Sequence, residues 1–284
     1  MSLAVDYAIG SFSSATSLSV NAAGEIFVID QGADACIRLS IDGTELSRVQ
    51  GRGWGSTEFD TPTDVSAAFP LAVFVSDEKN RRIQQFDREL NFVQTIGARG
   101  PQSSLAQETQ TRDQELLARS FRPIASTESA QGELFALDAD GMRVVKFTTR
   151  FRAEREFGTY ASGEGRLRAP SDLCMTGDGR VAVSDGERIV FFDQFGNFLF
   201  TRQCDSTRTI RALSSAPGEI LAVSPDAITV IDDAPSASCM KFIIERQMIV
   251  GAEEGVKEFR DAAQAGDRWL ILTPHALLVC RGVN

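Results

Sequence analysis

The sequence predicts an all-β chain, a six-bladed β-propeller of four-stranded antiparallel blades whose ring is closed by the N-terminal strand joining the C-terminal blade. Three observations carry this. Short apolar runs ending in a polar or turn residue recur: EIFVID (25–30), LAVFVSD (71–77), ELFALD (133–138), RVAVSD (180–185), EILAVSP (219–225) and DRWLILTP (267–274). The aspartates Asp30, Asp77, Asp138 and Asp185 follow one another at intervals of 47, 61 and 47 residues, close to the period of a propeller blade. A glycine-rich pattern also repeats, as GRGWGSTEFDTPTD (51–64) and GTYASGEGRLRAPSD (158–172), each with an apolar residue three before Pro and an Asp two after it.

Runs of this length, rich in Val, Ile and Phe and bounded by Gly or Asp, are strands rather than helices. Each is preceded by a short apolar segment, usually with glycine in between (NAAGE, SAQGE, TGDGR, SAPGE, QAGD), and followed by a third, such as RIQQFDREL or RIVFFDQFG. In five of the six units a fourth follows, as in NFVQTIG (91–97) and FRAEREFG (151–158). The units divide one domain, 1–284, into blade 1 (about 15–53), blade 2 (54–100), blade 3 (122–160), blade 4 (161–206), blade 5 (207–249) and blade 6 (250–284 plus 4–12). The longer interval is filled by 101–121, PQSSLAQETQTRDQELLARSF, whose composition predicts a loop with a helical turn. The last unit is one strand short, and AVDYAIGSF (4–12) supplies it, leaving no open edge between first and last blades.

The glycine-rich stretches fall between the outer strand of one blade and the inner strand of the next. Glycine permits positive φ in that tight crossing. Phe59 or Leu167 is predicted to tuck into the seam between blades, with Pro62 or Pro170 fixing entry to the next strand. A phosphate-cradling loop would end in Lys-Ser/Thr and open a helix; here the next residues read as strand.

Hydrophobic content of 43% and charged content of 24% suit a soluble globular protein, and 284 residues bury a large core. With 29 basic and 39 acidic residues the net charge is −10, which repels a phosphate backbone and disfavours nucleic acid as a partner. No apolar run approaches the roughly 20 residues of a membrane helix. The opening MSLAVDYAIGSF has neither a basic n-region nor a long apolar core, so it is no signal peptide as it stands. A periplasmic or secreted location is the expectation only where a leader has been removed. The five cysteines (Cys36, Cys174, Cys204, Cys239, Cys280) are scattered without CxxC or CxxH spacing and read as buried thiols.

With these features the chain resembles the NHL repeat, whose hallmark is a strand ending in Val-x-Asp, a polar turn, then Arg-Ile-x-x-Phe-Asp. Blade 2 carries it most fully, with Val75-Ser76-Asp77, Asn80, Arg82-Ile83 and Phe86-Asp87. Blade 4 repeats it with Val183-Ser184-Asp185, Arg188-Ile189 and Phe192-Asp193. Blade 1 keeps Val28-Ile29-Asp30 and Ile41-Asp42-Gly43, and blade 3 keeps Leu137-Asp138 and Arg143-Val144. Blades 5 and 6 match by spacing alone, with Pro225 and Thr273 where the first Asp stands. The resemblance implies the propeller fold and not a function, since such blades carry unrelated activities.

The chain has one histidine, His275, in the turn TPHAL, which excludes a His-rich zinc site and any two-histidine mechanism, including the lyase chemistry of amidating NHL enzymes. No GxSxG is present. The first strand of each blade lines the tunnel. Counting seven back from the glycine before strand two gives Ser17, Ala125, Asp172 and Arg211; the proline-anchored equivalents are Asp64 and Arg260. Ser17, Asp64, Asp172, Arg211 and Arg260 are therefore the tunnel-mouth binding candidates, with no residue assigned to catalysis or to a metal. Six-bladed lactonases and phosphotriesterases hold calcium in such a mouth with Glu, Asn and Asp oxygens. Here the nearby amide, Asn21, lies at the far end of its strand, and arginines repel a cation. The simpler reading gives the Asp after Pro to the repeat, satisfying loop amides.

Asp30, Asp77, Asp138 and Asp185 recur once per blade and are expected to accept hydrogen bonds from the turn that follows each. Trp54, Phe69 and Tyr160 fall on or near inter-blade loops, suited to ligand contact or to packing. KNRR (79–82) reads as a solvated turn. The leading functional expectation is a non-enzymatic binding scaffold for a protein or extended polymer, without a cofactor. The alternative is a calcium-assisted hydrolase of the lactonase or phosphotriesterase kind.

Overall fold

Six four-stranded antiparallel arrangements stand radially around one axis in the computed structural model, which describes residues 2–68, 72–97, 121–204, 208–234, 240–252 and 255–283. The inner strands are Ala15–Val20, Pro62–Ser66, Pro123–Glu128, Pro170–Met175, Ala212–Ala216 and Asp261–Ala265. Each packs beside the next, and the last packs beside the first. The ring is a six-bladed propeller.

The second strands explain the apolar runs. Ile26–Asp30, Val73–Asp77, Leu134–Asp138 and Val181–Asp185 are buried at every position, because neighbouring blades cover both faces. A strand covered on both faces reads as a continuous apolar run rather than an alternation. The outer strands face solvent and are correspondingly polar: in Phe92–Ile96 only Ile96 is buried.

Ring closure follows the expectation, with one addition. The N-terminal strand Ser2–Ile9 pairs antiparallel with Leu277–Val283, Leu3 opposite Gly282 and Ile9 opposite Leu277. Ile249–Val250 then adds a fifth, parallel strand on the outside of Ser2–Ile9, so the last sheet is wider than the other five.

The core lies in six seams between blades. Phe12, Phe59, Phe121, Leu167, Ile210 and Phe259 come from the six inter-blade crossings, and each is at most 6% exposed. Each belongs to a cluster drawn from the two blades that it separates. Phe59, for example, packs with Phe27, Ile29 and Val49 of blade 1 and with Val65, Val75 and Phe86 of blade 2. Burying one such side chain contributes about 1.5–3 kcal/mol, so the crossings wedge the ring together.

The repeated aspartates have a different partner from the one expected. They accept backbone N–H groups from the loop entering their own blade, not from the turn after them: Asp30 from Ser13 and Ser14, Asp77 from Asp60, Asp138 from Arg122, Asp185 from Arg168 and Ala169. The entering loop is the segment with unpaired amides, because the following turn is already closed by strand pairing. The Arg of the Arg-Ile pattern completes the site, with Nε of Arg82, Arg143 and Arg188 donating to Asp77, Asp138 and Asp185 at 2.8–2.9 Å. KNRR is likewise not a solvated turn throughout: Asn80 is 1% and Arg82 4% exposed.

Arg82 also explains the glycine-rich stretch. Its guanidinium donates to the carbonyls of Trp54, Gly55 and Glu58 at 2.8–2.9 Å, drawing the loop 51–59 into a curl over the blade. Gly53 sits at φ +154°, and a Cβ there would overlap the Glu58 carboxylate, which accepts the Gly55 amide. Among the described residues no helix is long and apolar enough to cross a membrane. Of the insertion expected over 101–121, Phe121 is a buried seam residue, and the rest, together with Phe69 and Cys239, lies outside the described residues.

Candidate functional site

The residues facing the axis form a ring of alternating character. At the equivalent position of the six inner strands stand Ser17, Asp64, Ala125, Asp172, Ala212 and Asp261. The three carboxylates come from blades 2, 4 and 6, and the residues between them are small and uncharged.

Each carboxylate does the same thing. Asp64 accepts the amide of Ser126 at 2.8 Å, Asp172 that of Leu213 at 2.6 Å, and Asp261 that of Leu18 at 2.8 Å. In every case the donor lies on the inner strand of the next blade, one residue past its Ala or Ser. The second oxygen of Asp172 accepts the amide of Leu173, and that of Asp261 the amide of Ala262, at 2.7–2.8 Å. The Ser17 hydroxyl donates to Asp64 at 2.9 Å and accepts the Val65 amide. An inner strand has a free edge toward the tunnel, so its amides lack a ladder partner; the carboxylates supply one. A small side chain on the neighbouring blade leaves room for each bridge.

This arrangement places charge where water is scarce. Burial pushes Asp64 up to about 6 against the lowering effect of the Ser126 amide and the Ser17 hydroxyl. Burial likewise pushes Asp261 up to about 8, with the Asp64 charge adding to the rise. Asp172 is raised well above the ordinary carboxylate range by burial and then by the charges of Asp64 and Asp261.

The expected ring is corrected in blades 5 and 6. Arg211 and Arg260 do not share the position of Asp64 and Asp172; each stands one residue earlier, ahead of Ala212 and Asp261. The count from the glycine fails at Arg211, and the alignment to the proline-anchored blades at Arg260, because these hairpins have two-residue turns, Ala216 pairing with Glu219 and Ala265 with Arg268. Blade 4 has a five-residue turn between Met175 and Val181. A tight Pro-Gly or Gly-Asp turn was the signal that gives the right register. Both arginines pair with Glu258, Arg211 at 3.3 Å and Arg260 at 2.6 Å.

From the carboxylates toward the strand-one to strand-two turns, the tunnel opens into a cavity of about 760 Å³. Asp64 and Asp172 stand on its lining, and the turns 129–131 and 176–180 rim it. Glu128, which the sequence did not single out, also lines it. Burial raises its carboxyl to about 7, and among the described residues it has no hydrogen-bond or ion-pair partner.

The donor set does not suit calcium, which takes six to eight oxygens. The oxygens of Asp64 and Asp172 already face N–H or O–H donors, and among the described residues no three His, Cys, Asp or Glu side chains converge. His275 sits in the closing loop, its Nδ1 3.2 Å from the Phe12 carbonyl oxygen. Cys36, Cys174, Cys204 and Cys280 are buried, with burial pushing the Cys36 thiol up to about 12.

The opposite, inter-blade-loop face carries two exposed aromatics. Tyr160 is 80% exposed with the Arg166 guanidinium 4.3 Å from its ring centre, and Trp54 is 46% exposed with that of Arg82 at 5.7 Å.

No family model matches the chain, and no curated protein matches its sequence. Solved structures do match in shape. Virginiamycin B lyase from Staphylococcus aureus superposes with a TM-score of 0.62 at 10% identity, over 99% of both chains. A luciferin-regenerating enzyme gives 0.64 at 9% identity, over 96% of this chain and 93% of its own. A chain of a nidogen/laminin complex gives 0.61 at 11% identity, over 83% and 81%. At such identities the likeness is one of fold, and the count of six blades is that of this chain's own sheets.

Proposed function

We propose that this chain is a non-enzymatic binding propeller with NHL-type blades, receiving a protein or an extended polymer across the face built from the inter-blade loops. The observation that carries this reading is the pair Tyr160 and Trp54, large rings left in water on that face and each with an arginine guanidinium over it. A ring already fixed in place loses little freedom on binding, which is why aromatic and arginine anchors dominate interfaces. Chains of similar shape in a nidogen/laminin complex and in a mitotic checkpoint complex support protein partners in general. The groups that a hydrolase would use, Asp64 and Asp172, bridge backbone amides instead.

The test pairs capture with chemistry. Partners retained by the wild type are identified, produced pure, and titrated against the wild type and a Trp54→Ala/Tyr160→Ala double variant. The reading expects affinity to fall by about tenfold or more, the usual weight of a central aromatic anchor. Turnover of lactone or phosphotriester substrates that disappears in Asp64→Asn would replace the scaffold with a hydrolase.

A further inference from the structure

The axial cavity holds one carboxylate that the fold does not use. Asp64 and Asp172 bind amides, Asp178 accepts from Thr176 and Arg180, and Asp193 accepts the amides of Phe195 and Asn197. Glu128, at the end of blade 3's inner strand, has no such partner among the described residues. Beside it, Ser126 also lines the cavity, is 4% exposed, and has a hydroxyl without a hydrogen bond. The one basic side chain on the lining among the described residues, Arg180, makes no ion pair with Glu128. It pairs with Asp178, donates to the Asp233 carbonyl, and lies 5.5 and 5.6 Å from the rings of Phe191 and Phe200.

Among the described residues the Glu128 carboxyl therefore faces the cavity without a counter-ion. We propose that the cavity receives a small aliphatic diamine in its doubly protonated form, one ammonium against Glu128 and the other toward Asp64 and Asp172. An ammonium donates up to three hydrogen bonds and needs acceptors around it. The lining offers hydroxyls from Ser19, Ser66 and Ser215 and carboxamides from Gln131 and Gln264. A bare metal ion would need several oxygens converging on a point, which the described residues lack. A quaternary ammonium would need an aromatic cage, whereas among the described residues the lining has Phe195 alone, whose ring already carries Lys146 at 5.6 Å. A volume of about 760 Å³ accommodates a four- or five-carbon chain with water. This site lies on the other end of the axis from Tyr160 and Trp54 and does not depend on what binds there.

The experiment is calorimetric titration of the whole chain with putrescine at pH 8 and low salt, with n-butylamine and succinate as comparators. Putrescine should bind one to one, n-butylamine more weakly, and succinate not at all. Glu128→Gln should weaken putrescine by about tenfold or more, the scale of a lost charged hydrogen bond. Gln131→Arg, on an exposed turn where folding is not at stake, should weaken it too by bringing a competing cation to the rim. The proposal fails if putrescine gives no heat, or if succinate binds as well. It fails equally if affinity is unmoved in Gln131→Arg and in any folded Glu128→Gln, since binding would then be diffuse attraction to an acidic surface.

Discussion

Asp261 accepts the backbone amide of Leu18 at 2.8 Å across 243 residues of sequence. The last blade thus holds the first at the axis, while Ser2–Ile9 against Leu277–Val283 holds it at the rim. The ring is latched at two radii.

Loss of the outer latch should be severe. Leu3 is 0% and Ile9 6% exposed, and removing residues 2–9 also bares the ladder groups of Leu277–Val283. The deletion is expected to aggregate. The milder Leu3→Ala should cost about 2–5 kcal/mol, a fall in Tm of about 2–4 °C per kcal/mol for a chain of this size. Thermal melts followed by circular dichroism check both, and a deletion that melts with the parent would refute this closure.

The inner latch makes stability depend on pH. Asp261 is raised to about 8 and Asp64 to about 6 in the folded chain, so between the ordinary Asp value and these the folded state binds more protons than the unfolded. Their contribution is fully present below about pH 4 and is lost as pH rises through 6 and 8. Tm should therefore rise by a few degrees from pH 8 to pH 6, and Asp261→Asn should flatten that slope. Scanning calorimetry across this range decides it; an unchanged slope in the variant would remove Asp261 from the account.

Arg82 and Asp77 should be far less tolerant than a surface pair. Asp77 is 0% exposed, and Arg82 holds it at 2.8 Å while also closing loop 51–59 through three carbonyls. Arg82→Ala leaves a buried charge unpaired, at a cost of about 3–5 kcal/mol. Urea unfolding measures this. By contrast Arg48→Ala, removing the exposed pair with Glu45 at 2.7 Å, should cost about 1 kcal/mol or less.

Calcium should leave the melt unmoved. A site filled at 100 times its dissociation constant would stabilise the fold by about 2.7 kcal/mol, a rise of several degrees at about 2–4 °C per kcal/mol. We expect none at millimolar calcium. A shift abolished by Asp64→Asn would overturn the scaffold reading.

Fold was legible where a single blade dictates it. The apolar runs, the once-per-blade aspartates, and the wedges Phe59 and Leu167 all reflect contacts that repeat, so spacing reveals them. The axial ring was half legible: Asp64 and Asp172 follow Pro at fixed distance, but Asp261 has no such Pro and its own blade has a shorter hairpin, so the alignment settled one residue early, on Arg260. Glu128 left no trace in the sequence. Its distinction is a missing partner in a cavity that exists only once six blades surround it.

The axial carboxylates also bear on how such a ring can change in size. Because Asp64, Asp172 and Asp261 each reach onto a neighbour bearing Ser or Ala, the unit that tiles the circle is a pair of blades, a giver and a receiver. Inserting or losing a single blade would set two givers shoulder to shoulder, their charges adjacent, or leave two receivers with an unclasped strand between them. Of the small residues between the carboxylates, only Ser17, whose hydroxyl accepts the Val65 amide, also clasps the blade after it.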